Sequence, residues 1–339
     1  EIEMGREHFG RIGIEAVRAG KVGAVLLAGG MGTRLGSDAP KGMYDIGISR
    51  HVYIFQRVIE NLMKVVSKSG NYIQLFVMTS EKNHDATVNF FREHDYFGYD
   101  SEYIAFFMQD MAPAADYGGK VYMEAKDCIA TSPNGNGGWF LSMKKSGLME
   151  LIEKRGIEWL NVFAVDNVLQ SIADPVFIGA VLEGGYSVGS KVIRKVSPDE
   201  KVGVMCTEDG RPSIVEYIEL TDDMLTQKDE NGEYAYNFGV ILNYLFKVDR
   251  LLGLLERKLP YHKSAKKIPY INEKGESVKP DEPNGYKYEQ FILDMIQMLD
   301  SCLPFEVLRE KEFAPIKNKT GVDSVESARE LLKKNAIEL

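Results

Sequence analysis

Residues 25–42 read Val-Leu-Leu-Ala-Gly-Gly-Met-Gly-Thr-Arg-Leu-Gly-Ser-Asp-Ala-Pro-Lys-Gly, and this stretch decides the fold. The apolar run from Val22 to Ala28 predicts a buried strand. It breaks at once into a turn carrying Gly29, Gly30, Gly32 and Gly36, and the turn delivers Arg34 and Lys41. Glycines let a backbone approach a ligand with no Cβ in the way. Successive turn N–H groups then make a concavity suited to phosphate oxygens, and two cations close behind supply the charge that a triphosphate demands. The spacing is neither of the two common phosphate loops. A Gly-x-Gly-x-x-Gly beginning at Gly30 needs a glycine where Leu35 stands, and no Gly-Lys-Ser/Thr follows. Pro40 fixes its own φ and biases Ala39 toward extended backbone, so Lys41 comes off a stiff bend.

The bulk properties bound what surrounds this loop. A chain of 339 residues, 44% hydrophobic, suffices for one large α/β domain with an appended lobe, or for two domains. A net charge of −9 argues against a nucleic-acid surface, which is normally basic, but leaves room for a local phosphate site. Cys128, Cys206 and Cys302 are widely spaced and odd in number, which speaks against a disulfide framework or a structural zinc and fits a reducing compartment. No apolar run approaches the roughly 20 residues that span a bilayer. Residues 1–20 are charged and amphipathic, unlike a signal peptide, so cytoplasm is the expectation, with no membrane partner. The chain opens on Glu1 and not on Met, as if an upstream piece had been removed.

Along the chain, residues 5–19 predict an amphipathic helix stopped by Gly20, and 51–68, 82–92, 141–155 and 172–182 predict further helices, the last begun by Asp174-Pro175. Strands are expected at 22–28, 73–79, 103–108 and 160–165. This rhythm implies an α/β fold, a mostly parallel sheet covered on both faces, with ligands at the carboxyl ends of the strands. From about 186 the rhythm changes. Val202–Thr207 and Ser213–Tyr217 flank Asp209-Gly210, a hairpin signal, and Lys274-Gly275-Glu276 suggests another turn of that kind. Antiparallel additions of this sort usually shape a substrate pocket. Residues 258–287 predict a surface excursion, and Tyr288–Leu303 predicts a helix.

Several residues carry candidate chemistry. Val165-Asp166-Asn167 puts a carboxylate at the end of a buried strand, where it suits a divalent metal; helix capping by Asp166 is the ordinary alternative, and Asn167 could take that role instead. Ser132-Pro-Asn-Gly-Asn-Gly-Gly-Trp139 is a second glycine-rich loop. With Gln109-Asp-Met-Ala-Pro113 it offers Gln109, Gly135 and Asn136 to the edge atoms of a nucleobase, although a plain surface turn is the simpler reading of the loop alone. Glu216 and Asn237 suit sugar hydroxyls if they face a pocket, and are otherwise solvated strand residues. The five histidines show no metal-ligand spacing, no Gly-x-Ser-x-Gly occurs, and Lys263, Lys266 and Lys267 read as a solvated face.

With these residues in hand, the chain resembles the UDP-N-acetylhexosamine (UDP-GlcNAc) pyrophosphorylases, a branch of the UDP-sugar pyrophosphorylases. The glycine loop matches the signature Leu-x-x-Gly-Gly-x-Gly-Thr-x-Leu-Gly-x4-Pro-Lys. The likeness runs on through Pro40-Lys-Gly-Met-Tyr-Asp45, Pro133-Asn-Gly-Asn-Gly-Gly138, Val165-Asp-Asn167, Val215-Glu-Tyr217, Lys279-Pro-Asp-Glu-Pro-Asn-Gly285 and Phe313-Ala-Pro-Ile-Lys-Asn318, in order over nearly the whole chain. It implies a Rossmann-like, GT-A-like nucleotide-diphospho-sugar transferase sheet in one catalytic domain over 1–339. Residues 20–185 would be mainly the nucleotide-binding half and 186–330 mainly the sugar-binding half. It implies UMP transfer from UTP to a sugar 1-phosphate, giving a UDP-sugar and pyrophosphate, with Mg²⁺ or Mn²⁺ held by Asp166. Ala28, Gly29, Gly30, Gly32 and Thr33 would bind the nucleotide with the catalytic pair Arg34 and Lys41. Gln109 and Gly135 would read uracil, with Asn136 close to uridine and sugar. Gly203, Glu216 and Asn237 would contact the sugar, and Lys287 and Lys317 would lie near the phosphates.

The chain departs from the eukaryotic members in lacking most of their N-terminal lobe and the small C-terminal domain beyond the helix ending near 333. It has Met31 where Gln is common and Asn134 where Asp is common. A monomer or weak homo-oligomer is expected, and a compact bacterial relative with broader sugar tolerance stays open. Three rivals remain at this point: the same chemistry on glucose 1-phosphate or on several sugars, a nucleotide-sugar-dependent glycosyltransferase, and an inactive binding homologue. The absence of any Asp-x-Asp counts against the second, and retention of Arg34, Lys41 and Asp166 against the third.

Overall fold

The computed structural model describes residues 2–339, which are built around one nine-stranded mixed sheet. Its strands are β1 (Val22–Leu27), β2 (Gln74–Thr79), β3 (Ile104–Met108), β4 (Trp159–Ala164), β5 (Val188–Arg194), β6 (Val204–Glu208), β7 (Arg211–Val215), β8 (Phe238–Lys247) and β9 (Cys302–Glu306). The helices used below are α1 (Ile2–Arg18), α2 (Ile54–Ser69), α3 (His84–Glu93), α4 (Trp139–Lys145), α5 (Met149–Arg155), α6 (Pro175–Glu183), α7 (Ile292–Gln297) and α8 (Val325–Lys334). β3, β2, β1 and β4 lie side by side and parallel, so the carboxyl ends of all four open on one edge. Every residue of β1 is buried, as expected of a central parallel strand with helices on both faces. Ala24 and Leu26 join one core cluster with α2 and α6, and Val25 and Leu27 join the other with Trp139 and Phe246. That is the two-face alternation a strand imposes.

The second half of the chain extends this same sheet. β8 runs antiparallel to β4, from Asn243 opposite Phe163 to Lys247 opposite Trp159. Its other edge takes β5, and β9 continues parallel to β5. The first part of β8 pairs with the β6–β7 hairpin at Gly239, on the edge that β4 occupies further along. Leu242, at φ 51, lies between these two partners, where the β5–β8 register also shifts. The hairpin turn itself is Asp209-Gly210, both at positive φ, as the dipeptide predicts.

Three predicted elements differ from the observed ones. The single helix expected over 141–155 is two helices, α4 and α5, parted by Gly147 at φ 77. The helix expected over 288–303 shrinks to α7, because residues 285–289 are a strand paired with 262–266 and 115–116, and 302–306 is β9. The excursion at 258–287 is accordingly a small antiparallel lobe, which also carries the hairpin at Lys274-Gly275-Glu276.

Candidate active site

The chain leaves β1 at the carboxyl edge of the sheet. Ala28 N donates to Met78 O at 2.8 Å, keeping the exit in register with β2. The excursion that follows is closed at its neck: Gly32 N donates to Ala39 O at 2.8 Å, and Lys41 N donates to Gly30 O at 3.1 Å. Inside it Thr33–Leu35 makes one tight helical turn, ended by Gly36 at φ 77 and anchored by buried Leu35. Thr33 and Arg34 therefore ride on the exposed tip, while Lys41 sits half-buried at the neck. Gly29 earns its place by contact, since a Cβ there would stand 2.5 Å from Gln109 Nε2. Gly30 faces open space.

β4 is the neighbour of β1, and Val165 N donates to Leu27 O at 3.2 Å. Asp166 thus follows the end of the adjacent strand, about one strand spacing (~4.8 Å) from the glycine turn. A cavity of about 320 Å³ opens here. Among its lining residues are Asn136, Asp166, Gly203, Glu216 and Lys317, five residues singled out by the sequence and separated by up to 181 positions. Burial pushes the Glu216 carboxyl above its ordinary pKa, helped by nearby Glu219. Glu216 lies just past the end of β7, so strand alternation does not orient it. Lys317 is paired with Asp323 at 2.9 Å.

Neither Asp166 nor Asn167 caps the next helix. Asp174 caps α6, its Oδ1 accepting from Val176 N at 3.0 Å. The buried Asn167 side chain instead donates to Glu312 O at 2.8 Å and accepts from Ala314 N at 2.9 Å, while Ile316 N donates to Asp166 O at 2.9 Å. These bonds lay segment 312–317 across the Asp166 turn and bring Phe313, Pro315 and Lys317 to the cavity. Asn237 is not among the lining residues; its main-chain and side-chain oxygens both accept from Lys195 N.

Among the described residues no group of three or more His, Cys, Asp and Glu side chains forms a ready-made metal cage. The Asp166 carboxylate, in a cavity beside the glycine turn, nevertheless suits magnesium, which takes one or two protein carboxylates and completes its shell with other oxygens and water. It is the wrong donor set for zinc. The lining includes no serine, threonine, cysteine or histidine, so none of these is at hand as a nucleophile.

The second glycine-rich loop is held against both halves of the chain. Met111–Pro113 pairs antiparallel with Thr131–Pro133, which brings the Gln109 segment beside the loop. Gly137 N donates to Gln290 O at 2.8 Å and Gln290 N to Asn134 O at 2.7 Å. A Cβ on Gly135, which has φ 85, would stand 2.4 Å from Gln290 O. Asn136 Oδ1 accepts from Ile292 N at 3.0 Å, at the start of α7. Lys287 lies on the strand leading into this contact, its ammonium pKa lowered by burial and by Lys82. Sequence reasoning missed Lys82 and Asn83, in the turn that follows β2; an Asn four residues past a strand carries no distinctive signal.

A family model described as UTP–glucose-1-phosphate uridylyltransferase matches residues 14–339. The UDP-N-acetylhexosamine pyrophosphorylase-like protein 1 of Mus musculus is 39% identical over 320 residues, covering 92% of this chain and 63% of that protein. The UDP-N-acetylglucosamine pyrophosphorylase of Saccharomyces cerevisiae is 40% identical over 336 residues, covering 95% of this chain and 70% of that protein. A solved structure of the uridine diphosphate N-acetylglucosamine pyrophosphorylase from Trypanosoma brucei, in complex with inhibitor, superposes with a TM-score of 0.86 at 32% identity, covering 96% of this chain and 67% of that one. The chain thus spans a little under two thirds of the mouse relative's length.

Proposed function

From the premise that the chain belongs to the UTP–glucose-1-phosphate uridylyltransferase family, we propose that it transfers UMP from UTP to N-acetylglucosamine 1-phosphate, giving UDP-N-acetylglucosamine and pyrophosphate. The observation that carries this reading is the convergence of Asp166, Glu216, Gly203, Asn136 and Lys317 on one cavity, one strand away from the glycine turn. The relatives named for N-acetylated sugars favour that sugar phosphate over glucose 1-phosphate.

In this reading a sugar phosphate oxygen attacks the α-phosphorus of UTP in line, the new P–O bond forms, and the bond to the β-phosphate bridging oxygen breaks. Pyrophosphate leaves on the far side, and no covalent enzyme intermediate forms. Such chemistry asks the protein for positioning and charge neutralisation above all. The turn N–H groups of residues 28–33 cradle the phosphates, with Arg34 reaching from the tip and Lys41 from the neck. Gln109 and the 135–136 loop hold the base, and Glu216 with the Gly203 backbone holds the sugar. Asp166 would hold Mg²⁺, which supplies charge neutralisation at the triphosphate when bound. Lys287 and Lys317 add positive charge around the phosphates. The three cysteines are all free thiols, which supports a cytoplasmic setting, and no described helix is long and apolar enough to cross a membrane.

The test is pyrophosphate release with UTP and Mg²⁺ against N-acetylglucosamine, N-acetylgalactosamine, glucose and galactose 1-phosphates. Preference for the N-acetylglucosamine ester is expected. Equal use of the plain hexose phosphates would overturn the sugar assignment, and no release with any of them would overturn the reaction.

A further inference from the structure

The turn after β2 contains a side chain whose bonds go beyond building its own helix. Asn83 is fully buried at the start of α3, a position where asparagine ordinarily caps the helix by accepting from its first N–H groups. It makes no such bond. Its Oδ1 accepts from Ser80 N at 2.7 Å, within its own turn. Its Nδ2 points across to the neighbouring strand and donates to Ala28 O at 2.9 Å and to Gly30 O at 3.4 Å. Gly30 O is also the acceptor for Lys41 N at 3.1 Å, the bond that closes the neck of the glycine loop.

We infer that Asn83 is a positioning residue for the glycine loop, setting Lys41 through the shared Gly30 carbonyl. A neutral amide meets both demands, because one end accepts and the other donates. An aspartate has the same shape but would turn an oxygen toward two carbonyl oxygens. The other bonds that close the neck, from Gly32 N, Lys41 N and Ala39 N, lie within the excursion, and this amide links the β2 turn to the loop's first residues. The consequence for catalysis rests on the uridylyl-transfer reading above; the consequence for the loop does not.

The experiment therefore has two parts. Hydrogen–deuterium exchange of the full chain, without substrate, compares the parent with Asn83→Asp and Asn83→Ala. Exchange across residues 29–43 is expected to quicken at least tenfold in both variants, with α6 unchanged. Unchanged exchange there would overturn the inference. Steady-state kinetics then follow at pH 8 and pH 6. For Asn83→Asp at pH 8 the KM for UTP is expected to rise at least tenfold, while the KM for the sugar phosphate stays within twofold. At pH 6, protonation of the introduced carboxyl restores a donor to the carbonyls, so the ratio of variant to parent activity climbs; Asn83→Ala shows no such recovery. A merely structural role would lower kcat alone, equally at both pH values, and that result would overturn the positioning role. A parent that turns over no UTP would remove the proposed reaction and leave the exchange data to decide about the loop.

Discussion

Replacing Lys191 by alanine should cost this protein a large part of its stability, and the cost should depend on pH with a reversed sign. Lys191 is fully buried on β5, and its Nζ donates to Ser171 O at 3.2 Å, Asp174 Oδ2 at 3.0 Å, and Glu312 Oε1 and Oε2 at 3.0 and 2.8 Å. A single hydrogen bond to a charged group contributes about 1.5–3 kcal/mol. The four are not additive, since all share one ammonium, and removing one partner of a buried ion cluster costs about 3–5 kcal/mol. Against a total of about 5–15 kcal/mol for a typical native protein, that is about a fifth of the stability or more. Burial opposes ionisation of both partners, but the Asp174 and Glu312 charges hold Lys191 above its ordinary pKa, and Lys191 holds Asp174 below its own. The lowered Asp174 gives stability that is present above its unfolded pKa of about 3.9 and is lost as pH falls through the folded value. The raised Lys191 gives stability that is present below its unfolded pKa of about 10.4 and is lost as pH rises through the folded value. Between pH 5 and 8 neither Asp174 nor Lys191 therefore makes the parent's stability depend on pH. Without Lys191 two buried carboxylates face each other, the folded state takes up protons more readily than the unfolded one, and the variant should gain stability from pH 8 to pH 5. Urea unfolding followed by tryptophan fluorescence is a suitable assay, because Trp139 and Trp159 are both buried. A loss below about 1 kcal/mol at pH 8, or a deficit equal at both pH values, would refute the reasoning.

Lys41→Ala and Asp166→Ala should each lower pyrophosphate release by orders of magnitude while leaving the urea midpoint unmoved; normal turnover in either would sink the role assigned to it. Gly29→Ala should leave the thermal transition in place, because its new methyl meets only the movable end of Gln109, and should raise the KM for UTP about tenfold as that amide is displaced. Gly135→Ala should instead lower stability by about 1–3 kcal/mol, since the site combines φ 85 with a main-chain oxygen 2.4 Å from the new Cβ; an unchanged melt by circular dichroism would contradict this. Burial raises the Glu216 pKa, so if its carboxylate accepts sugar hydroxyls the KM for the sugar phosphate should climb as pH falls toward that raised value. Glu216→Gln should flatten this dependence, and an unchanged profile would remove Glu216 from the sugar contact.

What could be read from the sequence, and what could not, separates along one physical line. β1 is buried on both faces by apolar side chains and shows as a continuous run, β2 has polar residues only at its ends and β4 only Asn161, and the glycines and cations that follow β1 announce a backbone site. β5 is buried over nearly all its length and β8 mainly over its second half, but each carries a buried polar residue there. Lys191 interrupts β5, and Asn243 interrupts β8, where it accepts from Asn161 Nδ2 at 2.8 Å and donates to Gln170 Oε1 at 3.1 Å. Such residues look like solvent-facing ones until their partners are known, and those partners lie 17 to 121 positions away.

The same line runs through the site. Residues that act with their own local backbone, such as Gly30 and Lys41, could be named from spacing. Glu216 and Gly203 reach the cavity only because the β6–β7 hairpin joins β8 beside β4, and Asn237, equally plausible by residue type, ends on Lys195. Asn83 and the Lys191 cluster make the point from the other side. Each is polar and buried, and each is tied to a residue beside the site: Asn83 Nδ2 donates to Gly30 O at the Lys41 neck, and the main-chain oxygen of Glu312 accepts from Asn167 Nδ2 next to Asp166. Desolvated polar groups are costly unless every bond is made, so a fold that keeps them at the edges of a site ties the geometry of that site to its own stability. Damage to Lys191 should therefore reach Asp166 and Lys317 through segment 312–317 before the chain unfolds.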